Sequence, residues 1–452
     1  MLELDKAWGQ ISFIAIKIAE NTLNSMKLSN YIKLYPYHEK QGYTMVYSCK
    51  KASTTLLPNS ILQCIKSNSL SDEVRSTLED LGIIVPDIEV EKKEMAQYIN
   101  RQNGQRTQAN VIAVMNLDCN LACSYCFEGG MKGHHYMSEE TAETLINYTA
   151  SHIFKDKDLH FVFYGGEPLL SKALIKHIAI HLKNEAQIRE RKFSFGMVTN
   201  GTLLTHKTVT ELLPYGLISA KVTLDGPSDI HDRSRPFKSG GGSFALIAHN
   251  IKTVCKHIKV QIGGNYTESN YREFPRLLDH LLDNGLTVKD IHRIKFDAVT
   301  KTRKDIALPD YNEGAESVNV PWVLQSSIFL REEILKRGYK TPRVLPSPCM
   351  MEMNDDIVVN YNGDIYKCPA LIGSKNYCIG SINSGISDYR HSHNLDSWKN
   401  TECLNCEYLP LCFGGCRFLN IVQNSTIEGT DCRKTYYDAA LESLVKQEMR
   451  YK

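Results

Sequence analysis

Ten of the fourteen cysteines in this 452-residue chain fall into two groups, and a fold must bring each group's sulfurs together. Cys119, Cys123 and Cys126 form a C-x3-C-x2-C loop, Asp-Cys-Asn-Leu-Ala-Cys-Ser-Tyr-Cys-Phe, directly after the apolar run Val111 to Leu117. The second group runs from Cys349 through Cys368, Cys403, Cys406, Cys412 and Cys416 to Cys432. Thiolates are the usual protein ligands of iron–sulfur clusters, and a four-iron cluster offers four irons. Three close thiolates leave one iron free for a substrate or cofactor. Structural zinc is the alternative, but zinc sites usually close with four ligands in paired motifs, which the first loop does not complete.

Apolar, β-branched runs recur at 110–118, 159–164, 193–199, 218–224, 258–264 and 291–298, with helix-like stretches between them, such as Glu139 to Phe154 and Ser171 to Ile188. This alternation predicts parallel β/α units in an α/β fold. Polar or glycine-rich turns end several of the runs: Gly165-Gly166-Glu167-Pro168, Thr199-Asn200-Gly201, Asp225-Gly226-Pro227 with Arg235 close behind, and Gly263-Gly264-Asn265. Each alone is a common turn. All of them lie at the C-terminal strand ends, where β/α barrels carry their chemistry.

The cysteine loop followed by Phe127, with these turns in this order, resembles the signature of radical S-adenosylmethionine (SAM) enzymes. The resemblance implies a partial (β/α)6 barrel and a [4Fe-4S] cluster on Cys119, Cys123 and Cys126. The free iron of that cluster would hold SAM, whose cleavage gives a 5′-deoxyadenosyl radical. It further implies that the backbone at Phe127 faces adenine and that Gly165, Gly166 and Glu167 face the methionine end. Asn200, Asp225 and Arg235 are candidates for the rest of the cofactor.

The C-terminal pattern, C-x13-G-x4-C and then C-x2-C-x5-C-x3-C with a lone Cys432, resembles the SPASM domain of radical SAM peptide maturases; two zinc ribbons are the alternative. Gly363 would turn a hairpin between Ile357 to Asn360 and Ile365 to Lys367 that presents Cys368. By the resemblance, Cys403, Cys406, Cys412 and Cys432 bind a distal auxiliary [4Fe-4S] cluster, and Cys349, Cys368 and Cys416 a proximal one. Family members with two fully ligated clusters have an extra cysteine shortly after the first; residues 350–361 contain none here. The proximal cluster is therefore expected to keep an open iron, unless Asp355, Asp356 or Cys378 closes it. An open iron suits a substrate thiolate, as in thioether-forming maturases.

Before the barrel, a strand at Tyr43 to Ser48 and helices at Asn59 to Ser67 and Ser71 to Leu81 resemble a winged-helix-like domain that binds a leader peptide by strand addition. The expected organisation is residues 1–88 for leader recognition, 89–106 as a solvated linker helix, 107–340 for the partial barrel, and 341–452 for the SPASM domain with a C-terminal helix. A net charge of +2 gives no reason to expect nucleic acid or a membrane surface as partner. The apolar stretch Ile11 to Ala19 carries Lys17, is too short to span a bilayer, and lacks signal-peptide features. A reducing cytoplasm is expected.

The expected activity is hydrogen-atom abstraction from a ribosomal precursor peptide, forming a thioether from a cysteine to an unactivated carbon, with flavodoxin or ferredoxin as reductant. The overall pattern is closest to geopeptide-type maturases. Carbon–carbon crosslinking and formylglycine formation share the same motifs. A non-catalytic peptide-binding or electron-transfer scaffold is the reading outside enzymes. No general base is identifiable.

Overall fold

The computed structural model describes residues 26–303 and 313–451; the apolar stretch Ile11 to Ala19 lies outside them. Six strands form the parallel part of one large sheet: β4 (Gln108–Val114), β5 (Asp158–Tyr164), β6 (Phe193–Thr199), β7 (Leu217–Thr223), β8 (Lys259–Tyr266) and β9 (Ile291–Ala298). They lie side by side in chain order, so each crossover moves one place along the sheet, as a partial barrel requires. The expected strands are all present, five of them within two residues of their predicted ends; the first stops at Val114, four residues before its expected end at 118.

The crossover helices follow local signals. In α5 (Glu139–His152), Ser138 accepts a hydrogen bond from the Thr141 N–H, and Glu139 and Glu140 occupy the first turn, where acidic side chains favour the helix dipole. In α6 (Lys172–Ile188), Ile175, Ile178, Ala179, Leu182 and Ala186 form one buried stripe. These faces close over Phe161, Phe163 and Phe195 of the sheet in the largest hydrophobic core.

The sheet does not stop at six strands. β10 (Asp356–Val359) pairs in parallel with β4, and β11 (Asp364–Tyr366) returns antiparallel to it, followed by the short strands β12 (Gly380–Ser381) and β13 (Gly385–Ile386). The hairpin expected around Gly363 is there, and Gly363 adopts a φ of 88°. What the sequence did not show is that the hairpin extends the barrel's first edge, with Val358 paired to Ile112 on one side and to Tyr366 on the other.

Ahead of the barrel stands an antiparallel sheet of β1 (Ile32–Pro36), β2 (Tyr43–Ser48) and β3 (Ser53–Pro58), followed by α1 (Asn59–Lys66) and α2 (Asp72–Asp80). The single solvated helix expected over 89–106 is two helices, α3 (Ile88–Ala96) and α4 (Tyr98–Gln105), meeting at Gln97. They are not solvated all round. Met95 and Ile99 join Tyr31, Tyr47, Trp398, Phe413 and Tyr437 in a second core that joins the N-terminal sheet to the cysteine-rich region.

The buried Glu91 of α3 fastens this junction, accepting hydrogen bonds from the Ser29 hydroxyl (2.6 Å) and the Asn30 N–H (2.8 Å) and pairing with Lys50. Breaking a buried ion pair from one side strands the other charge. Glu91→Ala is expected to cost about 3 kcal/mol, read as an earlier first transition in chemical denaturation.

Candidate active site

The strand ends of β4 to β8 converge on one region. The cysteine loop follows β4, and the turn Gly165-Gly166-Glu167 follows β5 and docks on the chain leading into that loop. The Gly166 N–H donates to Asn116 O (3.0 Å) and the Glu167 N–H to Asp118 O (2.8 Å). A Cβ on Gly165 would stand 2.4 Å from Asn116 O, and one on Gly166 would stand 2.2 Å from Asp118 O. The sequence predicted that these glycines admit a ligand. Their close approach is to the chain itself, immediately before Cys119.

Glu167 is fully buried, and its carboxylate is committed to the protein: it accepts from Thr199 Oγ1 (2.8 Å), the Asn200 N–H (2.8 Å) and the Leu169 N–H (3.0 Å). It thereby ties the end of β5 to the end of β6. Asn200 in turn reaches the loop, with Nδ2 donating to Asn120 (2.8 Å) and lying 3.6 Å from Cys119 Sγ.

On the other side, Asp225 is fully buried and accepts from the Asn265 N–H (2.7 Å) and from the Tyr125 hydroxyl. Arg235 Nη1 donates to the same hydroxyl (2.6 Å). Burial, with the Arg235 charge adding to it, pushes His231 down to about 3. The ring is therefore neutral, and its Nδ1 accepts from the Asp225 N–H (3.0 Å). Tyr125 is a residue the sequence reading missed. Its place in the gap between Cys123 and Cys126 looks like spacer, yet its hydroxyl links the loop to the ends of β7 and β8.

The three cysteines face Lys132. Burial works against the charge of its ammonium, but the sulfurs of Cys126, Cys123 and Cys119 more than offset this and hold its pKa above the ordinary lysine value. Burial pushes the Cys123 thiol up to about 11, so its thiolate needs a cation to form readily. No trio of cysteine sulfurs lies within 4.8 Å of one another among the described residues. A tetrahedral zinc would hold its thiolates about 3.8 Å apart. The arrangement fits a larger cluster better than one ion.

Glu128, also missed, is 2% exposed, and neither carboxylate oxygen has a hydrogen-bond partner. Burial raises it to about 7, with Lys132 opposing. Phe127 packs beside Tyr164, ring centroids 6.3 Å apart. Tyr164 itself feels both Cys126 and Cys368, so this aromatic pair lies between the first loop and the C-terminal cysteines.

There the seven cysteines lie in two neighbourhoods. Cys349, Cys368 and Cys416 interact with one another, and Cys403, Cys406, Cys412 and Cys432 do likewise. A buried pair, Arg417 with Glu352, holds the segment after Cys349 against the one after Cys416. Asp431 Oδ2 accepts from the Cys416 N–H (3.0 Å). The candidate carboxylates do not join the proximal set: Asp355 pairs with Lys157, and Asp356 with Arg106 (2.6 Å) and Asn110 (2.8 Å), at the amino ends of the strands. Cys378 packs in the same apolar cluster as the proximal cysteines and donates to Gly380 O (3.2 Å).

Residues 114–281 match the family described as the Radical SAM superfamily. Residues 114–281 carry the radical SAM domain, and the chain is similar to radical SAM peptide maturases of the SPASM type. It is 25% identical over 401 residues to the radical SAM cyclopropyl synthase TigE of Paramaledivibacter caminithermalis, covering 78% of this chain and 77% of TigE. It is 26% identical over 337 residues to the serine-type anaerobic sulfatase-maturating enzyme of Bacteroides thetaiotaomicron, covering 66% of this chain and 80% of that enzyme. The fold resembles native anSMEcpe with bound AdoMet (TM-score 0.60, 18% identity, 76% of this chain and 97% of that one). It also resembles SuiB of Streptococcus suis bound to the precursor peptide SuiA (TM-score 0.53, 14% identity, 90% and 99%). The radical SAM domain match supports SAM and a [4Fe-4S] cluster as cofactors. Among the described residues, no helix is long and apolar enough to cross a membrane.

Two outcomes follow from this geometry. Gly166→Ala forces the turn away from Asp118 and is expected to lower iron retained per chain after reconstitution, whereas Gly104→Ala, which meets nothing within 4 Å, leaves it unchanged. Tyr125→Phe removes one shared hydroxyl and leaves Asp225 and Arg235 short of a partner. About tenfold slower release of 5′-deoxyadenosine from SAM is expected, with iron content retained.

Proposed function

We propose that this enzyme matures a ribosomally made precursor peptide by joining a cysteine sulfur to an unactivated carbon of the same peptide. Cys119, Cys123 and Cys126 hold the initiating cluster, the turn at Gly165, Gly166 and Glu167 receives the methionine end of SAM, and the backbone at Phe127 receives adenine. Asn200, Asp225 and Arg235 position the remainder. When bound and reduced, by flavodoxin or ferredoxin, these cofactors supply the radical that removes a hydrogen atom from a peptide carbon. The protein keeps water from that region through the packing around Phe127 and Tyr164.

In the C-terminal region, Cys403, Cys406, Cys412 and Cys432 hold the distal cluster completely. Cys349, Cys368 and Cys416 hold the proximal one and leave a coordination position for the substrate thiolate. The observation that carries this reading is the commitment of Asp355 and Asp356 to Lys157, Arg106 and Asn110, which removes the carboxylates as ligands; Cys378, whose thiol donates to Gly380 O (3.2 Å), stays outside the set in this reading. The sheet β1–β3 takes the leader as an added strand at an edge. Thioether formation would remove two protons and two electrons from the peptide: one hydrogen atom from carbon ending in 5′-deoxyadenosine, the thiol proton going to solvent, and the remaining electron being taken up by the auxiliary clusters that the C-terminal cysteines would hold.

Carbon–carbon bond formation is the second reading, favoured by the similarity to TigE, which is named a cyclopropyl synthase. Co-expression with a neighbouring cysteine-bearing peptide separates the two. Loss of two hydrogens with a thiol that resists alkylation supports the thioether; the same loss with every thiol free supports carbon–carbon bonding and overturns it. Reconstituted enzyme is expected to carry about twelve irons per chain, a count that Cys378→Ser leaves unchanged if three protein thiols hold the proximal site.

A further inference from the structure

Two histidines and a carboxylate meet between the crossover helices α5 and α6. His177 and His181 stand one turn apart on α6, so both side chains project from the same face. Their ring centroids are 4.5 Å apart. Glu143 comes from the neighbouring α5, and its Oε1 lies 2.5 Å from His177 Nε2. One ligand atom from each of the three falls within 4.8 Å of the other two, the geometry that no trio of cysteine sulfurs attains among the described residues.

Around a tetrahedral ion with ligands at 2.0–2.1 Å, neighbouring donor atoms are about 3.4 Å apart. Glu143 and His177 stand closer than that, and every pair of ligand atoms lies within 4.8 Å, so side-chain rotations suffice to close the set. The helices that carry the residues are already packed by Ala142, Leu145 and Ile146 of α5 and by Ile175, Ile178 and Leu182 of α6, so little backbone order remains to be lost on binding. Half-exposed side chains leave the remaining coordination positions to water.

We propose that Glu143, His177 and His181 form a binding site for a divalent transition-metal ion that clamps α5 to α6, separate from the iron–sulfur chemistry. Two imidazoles and one carboxylate suit zinc, nickel or cobalt; calcium and magnesium prefer all-oxygen sites, and copper(I) prefers sulfur. All three residues lie within helices and none belongs to a strand-end turn or a cysteine set, so the proposal does not depend on the reading of the reaction given above. Its role is structural: holding together the two crossover helices that flank β5, whose C-terminal turn docks on the lead-in to the first cysteine loop.

The test uses untagged, full-length enzyme with its clusters already assembled, so that the cluster thiolates are occupied. Cobalt(II) is titrated under anaerobic conditions and followed by calorimetry and by its ligand-field absorption. One saturable site is expected, with affinity at least tenfold weaker in His177→Ala and in His181→Ala, and weaker in Glu143→Gln. Cobalt should raise the melting temperature of the wild type and not that of His177→Ala. The size-conserving His177→Gln guards against a packing defect, since its melting temperature without metal should match wild type. Absence of saturable binding in the wild type, or equal binding by the histidine variants, overturns the proposal. Release of 5′-deoxyadenosine should be the same in wild type and His177→Ala without added metal, which keeps this test distinct from that of the proposed reaction.

Discussion

The structure depends on one close backbone contact, where the turn after β5 rests on the segment that leads from β4 into the first cysteine loop. The two hydrogen bonds from Gly166 and Glu167 to Asn116 and Asp118 can form only because two successive residues lack a Cβ. The Glu167 carboxylate then carries the constraint sideways to Thr199 and Asn200. Three strand ends are thus locked in register before any cofactor arrives. Such a contact is short-range and intolerant of displacement, which suits a loop that must present three sulfurs to one cluster.

A second network closes the opposite side through Tyr125, Asp225, Arg235, Asn265 and neutral His231. Here buried charges are acceptable because each is paired and hydrogen-bonded. Arg235 also faces Cys123 and offsets part of the burial that disfavours its thiolate. The two networks therefore differ in kind: one fixes backbone, and the other fixes charge around the loop.

The C-terminal region is fastened to this frame at two places. β10 adds to the free edge of β4, which brings Cys368 close enough to Tyr164 for that ring to feel both cysteine sets. The second hydrophobic core joins Tyr31 and Tyr47 of the N-terminal sheet to Trp398, Tyr408 and Phe413. The part of the chain read as leader-binding thus packs directly on the segments that carry the distal cysteines. Cys49 lies within that core, as a small buried side chain.

Much of this was legible in the amino-acid order. Strand and helix periodicity gave the six β/α units, because burial on one or both faces imposes a repeat that local sequence records. Cysteine spacing marked the first loop, because ligands within a loop must be close in sequence to reach one cluster; the division of the seven C-terminal cysteines into two interleaved sets came from the SPASM resemblance. Other features were not legible. Glycines at 165 and 166 read as ligand-approach residues, but their partner is a segment some fifty positions earlier, and no local pattern names it. Tyr125 and Glu128 carried no signal in the sequence, since the hydroxyl contacts of one and the unpartnered burial of the other exist only after folding. Asp355 and Asp356 looked available as ligands until pairing with β4 put them at the far ends of the strands. The sequence by itself determined which elements form and which residues can carry the chemistry, through short-range periodicity and spacing. Only the tertiary structure decided which of those residues meet, because strand pairing and buried polar contacts join positions that are distant along the chain.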